Sequence, residues 1–279
     1  MLSKIDIERQ IGKGINIVPF KRDNIKENSI NFTISNMAWT LNPKDTGQGY
    51  NNANPACSSG ILTLEPHSTT VVYTEEVIAL NNKLGGTFHA KVGIVSKGVV
   101  FSSTMIGPSY CGHLMVSIQN PTDKKIKLSV GETFISLVLN KLDTKIRKEH
   151  TNSNNGGHTS KLGELGIENA SRETKILDED WKKNIETIQS KLKLEADYIS
   201  LRAEISKKSR TYFLAIIVFF LIISLIILGI VTVLLKTTVL GEDTKTTIST
   251  IIIGGIGEIV TIIISIFSGI IKKILKIDI

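Results

Sequence analysis

The chain has 279 residues, 42% of them apolar and 21% charged, with a net charge of +7, enough for a domain with its own core and substantial further structure. Two cysteines, Cys57 and Cys111, leave no disulfide framework and fit a reducing compartment. The positive balance does not point to nucleic acid: no dense Arg/Lys patch with interleaved aromatics occurs, and part of the charge sits beside apolar runs near the C-terminal end.

Lys4 to Lys13 has a helical pattern, and the N-terminal residues contain no apolar h-region of a secretory signal. From there to residue 142 alternation of period two dominates, predicting a mainly β domain of many short strands. Thr69 to Tyr73 is β-branched and aromatic. Leu114, Val116 and Ile118 share one face, with Met115, Ser117 and Gln119 on the other. Ile126 and Leu128 alternate similarly, and 134 to 139 is a short, largely apolar strand. Turn signals at Asn120 to Asp123 and Val130-Gly131 separate these runs. Residues 41 to 60, with Gly47, Gly49, Asn51, Asn52 and Asn54, read as a polar loop.

Residues 143–173 include a polar, turn-rich run and are expected to be a flexible linker. Residues 174–210 contain no Pro or Gly, and Trp181, Ile185, Ile188, Leu192 and Ile199 form a seam interrupted by Glu195. That seam predicts a helical stalk, either one amphipathic helix or a short coiled coil. Residues 211–279 read as a transmembrane hairpin with apolar spans at 212–235 and 248–271, each exceeding the roughly 20 residues that a bilayer core requires. Lys207, Lys208 and Arg210 precede the first span, and Lys272, Lys273 and Lys276 follow the second. The connection between spans balances Lys236 and Lys245 against Glu242 and Asp243. The positive-inside rule then places the N-terminal domain and the C-terminus in the cytoplasm, in a multi-pass protein of the cell membrane facing lipid.

In the second span Gly254, Glu258, Thr261, Ser265 and Ser268 fall on one helix face. A mid-bilayer carboxylate normally faces a partner or a watery cavity, so this stripe either packs an assembly together or lines a conducting path.

Five blocks in the first 142 residues resemble the dCTP deaminase/dUTPase superfamily in order and spacing. They are Ser3 to Ile7 followed by Gly14 to Phe20 and Ser29 to Phe32; Leu64-Glu65-Pro66 through Tyr73 to Leu80; Ala90-Lys91-Val92-Gly93-Ile94; Ile106-Gly107-Pro108-Ser109-Tyr110-Cys111-Gly112; and Gly131 to Leu139. The resemblance implies a dUTPase-like β-barrel or jelly-roll subunit forming a homotrimer, with deoxynucleotide sites between subunits and magnesium only where a nucleoside triphosphate binds. Nucleotide contacts would fall to Lys91, Gly93, Ile106, Tyr110, Gly112, Gln119 and Ser136. Deamination or triphosphate hydrolysis needs a carboxylate to take a proton from water. The positions matching the family's bases are Ser117 and Gly107, and neither residue can serve near neutral pH. Lys91 stands for the family's Arg and Phe88 for a phosphate-binding Ser. Gly156 to Leu162 resembles the family's C-terminal lid, against the plain reading as linker.

Other chemistry is thin. Cys111 and His113 share a strand face that His89 or His67 could approach, but a zinc site needs three or four such ligands, and none is expected. Glu75 and Glu76 are either a displaced base or surface carboxylates at a strand end. The expectation is a non-catalytic nucleotide-binding domain coupled to a membrane hairpin, with a tethered dCTP deaminase or dUTP diphosphatase and a ligand-free trimerising scaffold as rivals. A bacterial defence or stress effector suits this architecture by analogy of fold alone.

Overall fold

In a computed structural model, the described residues are 1–44, 50–144, 157–167 and 171–237, together with Gly254, Gly255 and Gly257. The chain divides into two units, Met1–Ile205 and Ser206–Ile279.

The first unit opens with α1 (Lys4–Gln10). Ser3 accepts a hydrogen bond from the Asp6 amide while the Asp6 carboxylate accepts from the Ser3 amide, a reciprocal capping box. The strands follow: β1 (Ile15–Val18), β2 (Ile30–Pro43), β3 (Tyr50–Pro55), β4 (Cys57–Ser58), β5 (Ile61–Leu64), β6 (Ser68–Leu80) and β7 (Leu84–Ala90). After a single helical turn, α2 (Val92–Val95), come β8 (Val100–Phe101), β9 (Thr104–Ile106), β10 (Cys111–Asn120), β11 (Ile126–Ser129) and β12 (Thr133–Lys141). Among the described residues nine strands form one curled antiparallel sheet in the order β8-β10-β6-β2-β12-β7-β9, with β1 on β6 and β3 on β2. The strands β11, β5 and β4 make a small second sheet. The mainly β expectation therefore holds. The polar loop expected over 41 to 60 is corrected: β2 runs on to Pro43, β3 returns along it with Trp39 opposite Pro55, and Cys57–Ser58 joins the small sheet.

Strand β6 is buried along most of its length on both faces, with Glu75 the exposed exception. Its even-numbered side chains, Val72, Ile78 and Leu80, enter the main core with Phe32, Ile34, Leu64, Val116, Ile118 and Phe134. Its odd-numbered ones face the opposite way. Val71 and Tyr73 pack with Met37, Trp39, Leu41, Leu162, Ile167 and Leu177, while Val77 and Ala79 pack with Cys111 and Ile188, beside Trp181 and Ile185.

That second packing layer corrects the expected linker and stalk. Residues 157–167 form two 3-10 turns, Thr159–Lys161 and Gly163–Leu165, with Leu162 and Ile167 buried. Residues 174–210 are divided among α3 (Arg172–Leu177), a 3-10 turn at Asp180–Lys183, α4 (Ile185–Leu192) and α5 (Ala196–Thr237). Caps make the divisions: Ser171 accepts from the Thr174 amide to start α3, and Asn184 accepts from the Glu186 amide to start α4. The seam residues Ile188 and Leu192 are fully buried against the β domain, so they are used there instead of pairing stalks, while Ile199 stays exposed.

The first turns of α5 dock at the start of the domain. Leu201 is buried in the main core, with Tyr198 and Ile205 packed against it. Tyr198 lies over Gly12 so closely that a Cβ there would stand 2.5 Å from its hydroxyl oxygen, and Gln189 Nε2 donates to the Gly12 carbonyl at 2.6 Å. The 3-10 turn Arg22–Asn24 holds the same helix: the Arg22 amide donates to Asp197 (2.8 Å), and its guanidinium contacts Glu204 (2.6 Å) and Glu8 (3.5 Å).

Along its later part α5 carries exposed Phe, Leu, Ile and Val side chains. It is the helix, among the described residues, that is long and apolar enough to cross a membrane, with mean hydropathy 3.3 over its most apolar window within Ala196–Ile230. The span expected at 212–235 thus lies inside a helix that begins earlier. The second expected span and its stripe residues Glu258, Thr261, Ser265 and Ser268 lie outside the described residues. Gly254 is helical and nothing stands within 4 Å of its Cβ position.

Candidate functional site

The turn from β9 to β10 builds the site. Ser109 takes a left-handed backbone (φ 63°) and its amide donates to the Asn81 carbonyl at 3.1 Å. Tyr110 is thereby turned inward, and its hydroxyl donates to the His113 carbonyl. Burial raises the ionisation of Tyr110 far above the phenolic range, with the nearby Tyr73 and Cys111 adding to it. One residue further, Gly112 has φ 140°, a backbone that disfavours side chains.

The register of β10 against β6 then shifts between His113 and Met115, where Thr74 to Glu76 of β6 stand against Leu114 alone. The Leu114 amide is satisfied by the Thr74 hydroxyl (3.0 Å), which itself donates to the Glu76 carbonyl (2.8 Å). By ordinary alternation along β10 the Leu114 side chain enters the main core while His113, paired with Val77, faces out. The His113 Nδ1 donates to the Thr74 carbonyl (2.8 Å), and its Nε2 is buried with no partner. Desolvation, helped by Lys182, pushes its pKa down to about 4, so the ring is neutral. Cys111 is on the same outward side and donates to the Lys182 carbonyl, with burial pushing its thiol up to about 12. Among the described residues no three His, Cys, Asp or Glu side chains are grouped to hold a metal.

A cavity of about 200 Å³ opens on this turn, lined by Phe88, Thr104, Met105, Ile106, Gly107, Tyr110, Leu114, Met115 and His158. His158 arrives from the segment expected to be linker. Its neighbour Gly157 (φ 72°) passes so near β10 that a Cβ would stand 3.1 Å from the His113 carbonyl oxygen. The His158 and Tyr110 rings are 6.3 Å apart at 42°. Burial, then Lys161, lower the His158 pKa, and its Nδ1 is buried without a partner.

The structure brings three residues of sequence interest to this cavity, Ile106, Gly107 and Tyr110, together with Phe88. Others lie apart. Lys91 precedes α2 and its ammonium donates to the Thr133 hydroxyl at 2.6 Å; Gly93, within α2, is open to solvent. Ser136 donates to Asn31 Oδ1 at 2.7 Å on β12. Gln119 is exposed near the β8 edge, opposite Val100. Ser117 pairs with Val71 on β6 and is outside the cavity lining.

Glu76 corrects the reading of a surface pair. Glu75 is exposed, but Glu76 is 2% exposed in the middle of β6. Its carboxylate accepts from the Thr33 amide and hydroxyl (both 2.9 Å) and from Asn24 Nδ2 (3.4 Å). Desolvation nevertheless raises its pKa above the usual carboxylate value. It does not line the cavity. The pattern Thr-Glu-Glu-Val could not reveal this, because Glu76 is inward only through the pairing of β6 with β2. His158 was legible only through its faint lid-like context.

Comparison with known proteins gives a consistent account of the first half. The family model for dCTP deaminase-like domains matches residues 1–142. The dCTP deaminase of Thermococcus kodakarensis is 22% identical over 138 residues, 48% of this chain and 81% of that protein. The dCTP deaminase of Pyrococcus horikoshii is 21% identical over 97 residues, 35% of this chain and 62% of that protein. Among solved structures, the 2'-deoxycytidine 5'-triphosphate deaminase of Agrobacterium tumefaciens aligns at 15% identity with a TM-score of 0.41, over 58% of this chain and 53% of that one.

Proposed function

The chain belongs, through residues 1–142, to the dCTP deaminase-like family, and on that premise we propose that it is a non-catalytic, deoxynucleotide-binding member whose β domain sets the state of an attached membrane segment. The observation that carries this reading is the cavity at Ile106 to Tyr110, which among the described residues no Asp or Glu lines. Without a carboxylate there, water has no base to activate it for attack on a ring carbon or a phosphate. Glu76 is held by Thr33 and Asn24 away from the lining, and Ser117 and Gly107 bring no proton acceptor.

Two features support the coupling. The first turns of α5 are tied to the β domain through Arg22, Gln189 and Tyr198, and the same helix continues into the apolar stretch that suits a bilayer. Asn24, two residues after Arg22, contacts the buried Glu76. One short turn therefore touches both the domain's interior carboxylate and the outgoing helix. Binding can bias the membrane segment only through a difference in affinity between two states of this junction. The family resemblance adds a trimer with sites between subunits, and the charge pattern adds a cell-membrane hairpin with the β domain in the cytoplasm.

The test is incubation of the purified full-length chain in detergent with dCTP and with dUTP plus magnesium. We expect neither uracil nucleotide nor pyrophosphate at enzyme-like rates, while a deoxynucleotide raises the melting temperature. Turnover abolished by Glu76→Gln would establish the tethered enzyme instead. No stabilisation by any nucleotide would leave a scaffold.

A further inference from the structure

Buried polar groups are matched unequally across the sheet. Towards the inner core Glu76 accepts from Thr33, Thr74 donates to the Glu76 carbonyl, and Asn120 donates to the Leu64 and Lys124 carbonyls. Among the described residues four buried side-chain atoms have no partner: Asn16 Oδ1, the Tyr73 hydroxyl, His113 Nε2 and His158 Nδ1. All four lie at one seam, between the sheet's outer face and the chain that covers it. Tyr73 packs with Leu177. His113 is opposite Val77 and Asn16 is opposite Ala79, and Val77 and Ala79 pack with Ile188. His158 belongs to the covering chain itself.

Lys182 adds a charge to this seam. It is 5% exposed, and its ammonium donates to the Ile176 carbonyl at 2.5 Å and lies 3.5 Å from Glu179. An unmatched buried group and a cation removed from water both lose hydration when the seam closes, and regain it when the seam opens. Apolar burial of Leu177, Ile188 and Leu192 holds the seam shut, and the polar groups beneath oppose it. Helix α4 then passes to α5 with little slack: the Leu194 amide donates to the Lys191 carbonyl and the Glu195 amide to the Leu192 carbonyl, both at 3.0 Å. Gln189 of α4 and Tyr198 of α5 meet at the same residue, Gly12.

We propose that residues 171–192 form a clasp that comes off the outer face as a unit while the inner core stays folded, letting go of Gly12, where α5 is also seated. Partial openings of this kind occur where packing is least stable, and the unmatched groups put that place at this seam. No residue of the clasp lines the cavity at the β9–β10 turn, so the clasp opens with or without a bound nucleotide.

Cys111 reports the opening. Its thiol is buried and donates to the Lys182 carbonyl at 3.3 Å, so iodoacetamide reaches it only with the clasp off. The full-length chain in detergent is alkylated at concentrations where the rate is proportional to reagent, and mass spectrometry follows the Cys111 peptide apart from that of Cys57. Division by the rate for an unfolded peptide gives an opening constant, and hydrogen exchange gives the constants for the Ile188 amide in α4 and the Leu137 amide in β12. Cys111 and Ile188 should share one constant, because a helix as short as α4 does not persist once detached. That constant should exceed the one at Leu137 by about a hundredfold or more. Phe134→Leu, in the inner core, should raise the Leu137 constant about tenfold and leave Cys111 unchanged, since the core is intact in both clasp states. Tyr73→Phe, which keeps the ring and removes the unmatched hydroxyl, should lower the Cys111 constant about fivefold. Equal constants at Cys111 and Leu137, a rise at both sites in Phe134→Leu, or a Cys111 constant indifferent to Tyr73→Phe overturns the proposal. An Ile188 constant near that of Leu137 overturns it too, because α4 would then stay behind.

Discussion

The two faces of the β10-β6-β2 layer are filled by different parts of the chain. The inner face closes on strands of the same domain, through Phe32, Ile78, Val116 and Phe134. The outer face closes on residues 157–167 and 171–192, through Leu162, Ile167, Leu177 and Ile188. Among the titratable side chains they bury, one on each face is shifted in the opposite sense to the other: Glu76 inward, raised, and His113 outward, lowered. The described residues 157–167 and 171–192 are therefore structurally part of the domain, contributing core and a cavity wall.

Truncating one residue on each face gives the largest expected effects. Phe134→Ala should cost about 3–5 kcal/mol and Leu177→Ala about 2–5 kcal/mol, the range for fully buried side chains, read from chemical denaturation of the full chain in detergent. A cost near zero at Leu177 would return the extension to the status of a linker.

The titratable pair separates the faces by pH. His113 has a folded pKa near 4 against 6.5 unfolded, so the unfolded chain takes up the proton first. Its contribution to stability is present above pH 6.5 and is lost as pH falls towards 4, by roughly 3 kcal/mol. His113→Gln should flatten that acid loss in melting temperature. Glu76 acts the other way. Its folded pKa is raised above 4.5, so the stability it contributes is present below 4.5 and is lost as pH rises through the folded value. Glu76→Gln should remove that decline. Superimposable pH profiles for both variants and the parent would mean neither face holds its group as described.

A smaller effect is expected at the junction. Arg22→Ala leaves the hydrogen bond from its backbone amide to Asp197 but removes the contacts with Glu204 and Glu8. Partly exposed pairs of this kind contribute about 1 kcal/mol or less. Hydrogen exchange at residues 196–205 should accelerate about fivefold while exchange in β6 stays unchanged.

Much of the inner face was legible beforehand. The alternation Leu114, Val116, Ile118 survives in the structure, and Phe134 to Leu139 is a strand as read. The outer face was not, for a local reason. Polar turn-rich residues near 157 and a regular seam over 181 to 199 look the same whether they meet solvent, another stalk or a sheet. The caps at Ser171 and Asn184 that break the helix emerge only in the structure.

By itself, the sequence determined what depends on composition and short-range order: the apolar run inside α5, the charges flanking it, and five blocks in the order of a known family. Tertiary structure alone decided that Glu76 is buried beside Thr33, 43 residues away in the chain, that Ile188 covers β6, and that His158 stands at the cavity. Those outcomes rest on strand register and on contacts between distant segments, and no periodicity within a single segment encodes which distant partner will remove a side chain from water.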